Sequence, residues 1–478
     1  MKYIGDIIPE EDIPKWSGNR VLIKGQTGSG KSYFIKTRMV EYAKANGLKM
    51  LLLSNRSILL EQNEAEMSGE EETIVMMNYQ KIENGLISSD EDLDYYLSKF
   101  DIIISDECHY LFSDSSFNRR TDLLLELLYK NYPNKMLIFI SATPEIVLEY
   151  QPDFDFSYTV KKDYSYIENI FFFRRDKTPE AIIQNLPSDE KVLYFSSDAK
   201  VAHELTGQFT NATFVCSESN SMYRYSDNRT VEEIVEKSFF SKRILATTKV
   251  LDNGINIIDS SVKHIVVDMM DLISLVQCVG RKRVMSKDDT VTLYVKDYHS
   301  GNVNYALMYI NSQLQKALQL DEIGVAEFQK VHKKRSFHDI VDNDFSINKA
   351  KLHYYQHQQN FLKGVLKSKD GFKIAVSNYF GVDIDTTKDA DNAFEKISIR
   401  KYFESIKNIK MFKDEQEEFK TIFFSLIFSP KNTNYRSRGI MSINAILEED
   451  NLPYRITSGK ESGAVNRNKR WWTVLGME

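Results

Sequence analysis

Two tandem α/β domains with parallel sheets flanked by helices, a mainly helical C-terminal region and a small winged-helix-like end are predicted by three observations. The loop GQTGSGKS, Gly25 to Ser32, fits the phosphate-binding pattern G-x-x-x-x-G-K-[ST] without a mismatch and lies between a strand-like and a helix-like run. Fully apolar runs then alternate with helical ones to about Tyr150, and again from Lys191 to Val295, the pattern of parallel sheets covered on both faces. After about Ser300 the strand signals fade. The expected units are residues 1–155, 156–300, 301–430 and 431–478.

The elements follow in order. RVLIK, Arg20 to Lys24, is β-branched and aliphatic, as a buried strand requires. YFIKTRMVEYAKANG carries Ile35, Met39, Tyr42 and Ala43 at helical spacing and stops at Asn46-Gly47. Within the loop, Gly25, Gly28 and Gly30 let successive N–H groups turn inward toward an anion. The following helix aims its positive end at the same point. Lys31 is placed for the β- and γ-phosphates and the Ser32 hydroxyl for Mg²⁺. Further strands of the first domain are expected at Met50–Asn55, Thr73–Gln80, Phe100–Glu107 and Lys135–Thr143.

NIFFFRR carries a strand near the crossing between domains. Lys191–Ser197, Ala212–Ser217, Lys242–Thr248, His264–Met269 and Val291–Val295 then read as strands of the second domain. A helix is expected to start at Thr230, with Glu233 completing a capping box. Residues 303–427 read as mostly helical, broken at Asp370 to Phe372 and between Gly381 and Thr387. SINAILEEDNLPYRI reads as a helix and turn, and NRNKRWWTVLG as a basic, aromatic terminal strand.

Composition narrows the class. A length of 478 residues implies roughly three domains. The longest apolar runs fall short of the roughly 18 residues that span a bilayer, and no signal-like segment opens the chain, so a cytoplasmic protein without membrane contact is expected. Three scattered cysteines make no metal or disulfide framework. A net charge of −6 is no global signature of a nucleic-acid binder, so such binding would rest on local patches. KVHKKR with HYYQHQQ, and the basic end after Lys431, are two such patches, each equally readable as a solvated surface.

Asp106 and Glu107 end the apolar strand FDIIIS, in DECH. There one carboxylate can stand beside the Mg²⁺ held by Ser32, and the other can orient and deprotonate an attacking water. With GQTGSGKS and DECH in place, SAT (Ser141 to Thr143), TTKVLDNGINI (Thr247 to Ile257) and QCVGRKR (Gln277 to Arg283) follow in order. SNR and NYQ are weaker matches between them. The chain thereby resembles the DExH-box members of helicase superfamily 2, of phage or mobile-element type, over roughly residues 20 to 297.

The resemblance implies two RecA-like domains with ATP and Mg²⁺ in the cleft between them. It assigns the nucleotide to Gly25, Thr27, Gly28, Ser29, Gly30, Lys31, Ser32 and Gly254, and the metal to Ser32 and Asp106. Catalysis falls to Lys31, Asp106, Glu107, Gln277 and an arginine finger. The family's last arginine position is Val284 here, which leaves Arg281 and Arg283 competing for that role. His109, Ser141 and Thr143 would couple hydrolysis to movement, and Arg56, Gln80, Ser197 and Thr247 would touch a nucleic-acid backbone. The implied activity is an ATP-dependent helicase or translocase, a monomer acting on single-stranded or tailed duplex nucleic acid, DNA ahead of RNA, with replication or repair proteins as partners. A non-unwinding translocase and a nucleic-acid-binding scaffold with an ATP switch are the alternatives. Trp16 is a candidate for stacking on the adenine, with a structural role as the alternative.

Overall fold

The computed structural model describes residues 3–26, 28–54, 72–88, 93–116, 121–129, 134–249, 256–332, 340–342, 344–427, 439–462 and 468–477. Thr27, Arg56 and Gly254 lie outside them, as do Lys333 to Arg335 and much of the basic end.

Six parallel strands form the first sheet: β1 (Arg20–Lys24), β2 (Met50–Ser54), β3 (Ile74–Asn78), β4 (Ile102–Asp106), β5 (Met136–Ser141) and β6 (Phe156–Thr159). Their order is β3-β2-β4-β5-β1-β6. Val21, Leu22 and Ile23 are fully buried, as expected where helices cover both faces. The expected boundary at 155 falls one strand early, because β6 pairs with β1 from Val21↔Phe156 to Lys24↔Thr159. The alternating pattern of β6, half-exposed at the sheet edge, is a weaker signal than the apolar interior runs.

The second sheet is also parallel. It contains β7 (Ile167–Phe173), β8 (Lys191–Ser196), β9 (Ala212–Val215), β10 (Ile244–Thr247), β11 (Val262–Asp268), β12 (Val291–Lys296) and β13 (Lys388–Asp389), in the order β13-β7-β12-β11-β8-β10-β9. The NIFFFRR strand is thus β7. The helix expected from Thr230 begins at Asn228, and its cap is Asp227, whose carboxylate accepts from the Arg229 amide. Thr230 instead donates its hydroxyl to Asp227.

Helix α1 (Lys31–Phe34) continues through a π turn, Ile35–Met39, into a helix ending at Asn46, with Gly47 left-handed at its close. The other helices that position the site are α2 (Glu145–Tyr150), α3 (Leu272–Val279), α4 (Ser300–Val331), α5 (Lys349–Val365) and α6 (Gly371–Phe380). The aromatic, histidine-rich HYYQHQQ stretch lies on α5, and it is a strut rather than an open patch. His353 bonds the Ile146 carbonyl at 2.9 Å, and its ring lies edge-on to Phe112 and Tyr150. His357 meets Glu149 at 2.8 Å. On the other domain, Gln358 donates to Asp271 at 2.8 Å. Tyr354 and Tyr355 are buried.

The chain closes with α7 (Ala390–Ile406), α8 (Lys413–Leu426), α9 (Ile440–Glu449) and the hairpin β14 (Tyr454–Lys460) and β15 (Arg470–Gly476). Residues on either side of the expected boundary at 430 share one core, from Phe403 and Phe419 to Ile443 and Val474. Bridges Lys407↔Val474 and Met411↔Trp472 add a short third edge to the hairpin. The unit runs helix, bridged edge, two helices and hairpin, and its core starts earlier than residue 431. Phe394, at the front of α7, belongs instead to the core under the second sheet. Among the described residues, no helix is long and apolar enough to cross a membrane.

Candidate active site

The phosphate loop leaves β1 at the carboxyl end of the first sheet. Gly28 and Gly30 have φ of 87° and 82°, a conformation that costs other residues energy but not glycine. At Gly25 an added Cβ would stand 2.5 Å from Ser29 Oγ, so a side chain there would displace the loop. The Ser29 hydroxyl is buried with no hydrogen-bond partner among the described residues. Ser32, in the first turn of the helix, is exposed. A cradle closed to a side chain at Gly25, an orphaned hydroxyl and a helix start suit a nucleotide's phosphates.

Lys31 points across this cradle to DECH. Its ammonium pairs with Glu107 and lies 3.9 Å from Asp106. Burial pushes the Asp106 carboxyl up to about 6, against the pull of Lys31. Burial also raises Glu107, but Lys31 and Arg281 outweigh it and hold the carboxyl at about 2. Glu107 is strained as well, with φ of 50°, a region costly for a residue with a side chain. One of its oxygens has no hydrogen-bond partner among the described residues. The Tyr79 hydroxyl braces the turn by donating to the Asp106 carbonyl at 2.9 Å.

Ser141 ties three motifs together. Its carbonyl accepts from the Gly25 amide at 3.1 Å, and its hydroxyl accepts from the Thr143 amide at 3.0 Å. The same hydroxyl lies 3.0 Å from His109 Nδ1. Burial lowers the His109 pKa, so the ring is neutral. One tautomer satisfies both contacts: Nδ1–H donates to Ser141, and Nε2 accepts from the Gln277 amide at 3.4 Å. That last contact crosses from the first domain to α3 of the second.

The two arginines separate by partner. Arg281, 3% exposed, is held by Gln277 twice, Nε to the carbonyl at 3.1 Å and Nη2 to Oε1 at 2.9 Å. Arg283 donates from Nε to Asn256 at 2.7 Å, and its Nη1 is 3.4 Å from where a Cβ on Gly28 would stand. The guanidinium of Arg283 therefore lies against the phosphate loop of the other domain. Lys282 turns away, fully buried at its side chain, to pair with Asp289 at 2.5 Å.

Other expected residues are less closely gathered. Gln80 and Ser197 are exposed. Thr247 is buried, its hydroxyl donating to the Thr248 carbonyl at 3.3 Å, so its side chain does not face a surface where a strand could lie. Trp16 is fully buried, packed against Phe34 and Tyr158. It is part of the core behind the loop. Trp471 covers Gly459, and Trp472 packs edge-on to Phe419.

One contact had no sequence signal. Gln26, in the loop, exchanges two hydrogen bonds with the backbone of Asp163, at 3.0 and 2.7 Å, and so fastens the interdomain connection to the phosphate cradle. Among the described residues, no cluster of three or more His, Cys, Asp or Glu forms a protein-only metal site. Mg²⁺ would be shared between Ser32, Asp106 and the phosphates themselves, a common arrangement for this ion.

Residues 63–146 match the family model described as "Type III restriction enzyme, res subunit". That stretch includes DECH and SAT. No curated protein matches the chain in sequence. Among solved structures, the chain is similar to Dbp5 of S. cerevisiae bound to RNA and ADP-BeF3, at 14% identity and TM-score 0.41, over 58% of this chain and 78% of that one. It is similar to the DEAD-box helicase Mss116 bound to single-stranded RNA and UDP-BeF, at 13% and 0.44, over 73% and 84%. A fragment described as an HsdR subunit of a type I restriction enzyme from Vibrio vulnificus YJ016 gives 16% and 0.41, over 60% and 61%.

Proposed function

We propose that this protein is an ATP-dependent helicase or translocase of superfamily 2, DNA favoured over RNA, in which hydrolysis needs both α/β domains. The observation that carries the proposal is the placement of Arg283 of the second domain against Gly28 of the first. A cation there can offset the charge that spreads over the γ-phosphoryl group in the transition state, and Arg283 is the finger. Arg281 holds Gln277, which reaches His109.

On nucleotide binding, Lys31 exchanges its Glu107 partner for the β- and γ-phosphates, and the freed carboxylate orients the attacking water. Asp106 and Ser32 would hold a Mg²⁺, which would supply neutralisation of phosphate charge. The links from Glu107's neighbour His109 to Ser141, and from Ser141 to Gly25 and Thr143, carry the change between the phosphates and the SAT segment. Gln80 and Ser197 are the described residues that could face a bound backbone. The winged-helix unit is the second contact for nucleic acid.

ATPase measured in parallel with single-stranded DNA, single-stranded RNA and tailed duplexes tests the reading. Stimulation by single strands with separation of a tailed duplex is expected, most strongly with DNA. Stimulation without separation means a translocase. No stimulation by any strand refutes the nucleic-acid reading and leaves an ATP switch.

A further inference from the structure

Apart from the phosphate loop, a cavity of about 360 Å³ opens where loops at the carboxyl ends of both sheets meet α5 and α6. That volume lies within the range of small-ligand sites. Its walls are Leu272 and Ile273 from the start of α3, Phe361 of α5 and Tyr379 of α6. No residue from Gly25 to Ser32 lines it.

The polar groups around it are of two kinds. Three carboxylates reach the rim and each already has a partner: Glu145 with Lys162 at 3.2 Å, Glu149 with His357 at 2.8 Å, and Asp271 with Gln358 at 2.8 Å. Paired in this way, with Lys249 also 3.9 Å from Asp271 and Lys162 lying over the Tyr379 ring at 3.8 Å, they leave little net charge for either a phosphate or a cation to gain. The groups that remain are neutral. Thr143 is 1% exposed and its hydroxyl has no partner among the described residues. Gln358 has spent its amide nitrogen on Asp271 and keeps its carbonyl oxygen. Asn360 is exposed. Flat aromatic and aliphatic walls, neutral donors and acceptors, and a rim whose charges are already paired describe a site for an uncharged planar heterocycle.

We propose that this cavity receives a nucleobase of the strand held by the two domains, stacked against Phe361 with Tyr379 beside it, and hydrogen-bonded by Thr143, Gln358 and Asn360. The proposal rests on the nucleic-acid reading above and adds base contact to it. The strand's phosphates stay outside the rim. Because Gln358 also holds Asp271, the cap of α3, a base in the cavity touches the helix whose other end presents Gln277.

The test uses the full chain and fluorescence anisotropy with a labelled single strand, DNA or RNA, whichever stimulates ATPase more. The strand is supplied either with normal bases or with a run of abasic sites. Wild type is expected to bind the abasic strand about tenfold more weakly, the scale of one lost base–aromatic stack. Phe361→Leu keeps an apolar side chain but removes the flat wall, and Asn360→Ala changes an exposed residue. Each is expected to lose three- to tenfold on the normal strand and nothing on the abasic one. The pocket assignment is overturned if both variants bind the normal strand like wild type, or if they lose equally on both strands. A wild type that binds no strand at all would instead refute the proposed function.

Discussion

Replacing Arg283 with Ala removes a cation of the second domain that lies against the phosphate loop. Its guanidinium is buried enough that burial, reinforced by Arg281, lowers its pKa to about 10, so it is poorly solvated before any nucleotide arrives. A unit charge about 4 Å from developing negative charge, at an effective dielectric near 20, contributes about 4 kcal/mol. That is about 10³ in rate, the lower end of what arginine fingers supply. The expected result is a loss of about 10³ in strand-stimulated turnover under single-turnover conditions, with ATP affinity changed much less. Arg281→Ala should behave differently. It strips two hydrogen bonds from the buried Gln277 and should cost about 1–3 kcal/mol of stability, visible as a lower melting temperature. If Arg281→Ala abolishes hydrolysis while Arg283→Ala turns over normally, the assignment of the finger is wrong.

Other outcomes are expected from the same geometry. Glu107→Gln should retain ATP binding and lose about 10²–10⁴ in hydrolysis; undiminished ATPase would remove Glu107 from the mechanism. Trp16→Ala should cost about 3–5 kcal/mol in denaturant unfolding, because the ring is fully buried between Phe34 and Tyr158; a cost under about 1 kcal/mol would contradict its place in the core. Asp122 has its carboxyl raised from 3.8 to about 6, first by burial and then by neighbouring acids such as Asp342. A raised carboxyl contributes stability that is present below its unfolded pKa and lost as pH rises through the folded one. Asp122→Asn should therefore flatten the fall in stability between about pH 4 and 6, and an unchanged melting profile across that window would show that Asp122 is not the group responsible.

Local chemistry made much of this protein legible in its amino-acid order. GQTGSGKS and DECH each need only their own strand and turn to take shape, and the continuous apolar runs of β1, β2, β4 and β5 have one plausible fate between two layers of helices. Short or half-exposed pieces were harder. β6 lies at a sheet edge, β13 has two residues, and the π turn at Ile35–Met39 has no pattern of its own. HYYQHQQ has the composition of a nucleic-acid patch, yet its two histidines and Gln358 are spent on Ile146, Glu149 and Asp271. Composition records which groups can bond, while only packing decides with what.

The order of residues by itself determined that a phosphate cradle and two carboxylates would share one domain, and that a second α/β domain would follow. Tertiary structure alone decided the far side of the cleft. Arg281 and Arg283 are two residues apart and chemically identical, so nothing local distinguishes them. They differ because one folds back on Gln277, and the other is carried to Gly28 by a contact more than two hundred residues distant in sequence. The same holds for Gln26 on Asp163 and for the cavity at Thr143, whose walls come from four separate stretches of chain. Such features depend on distance in space, which pairs of residues remote in sequence do not encode locally.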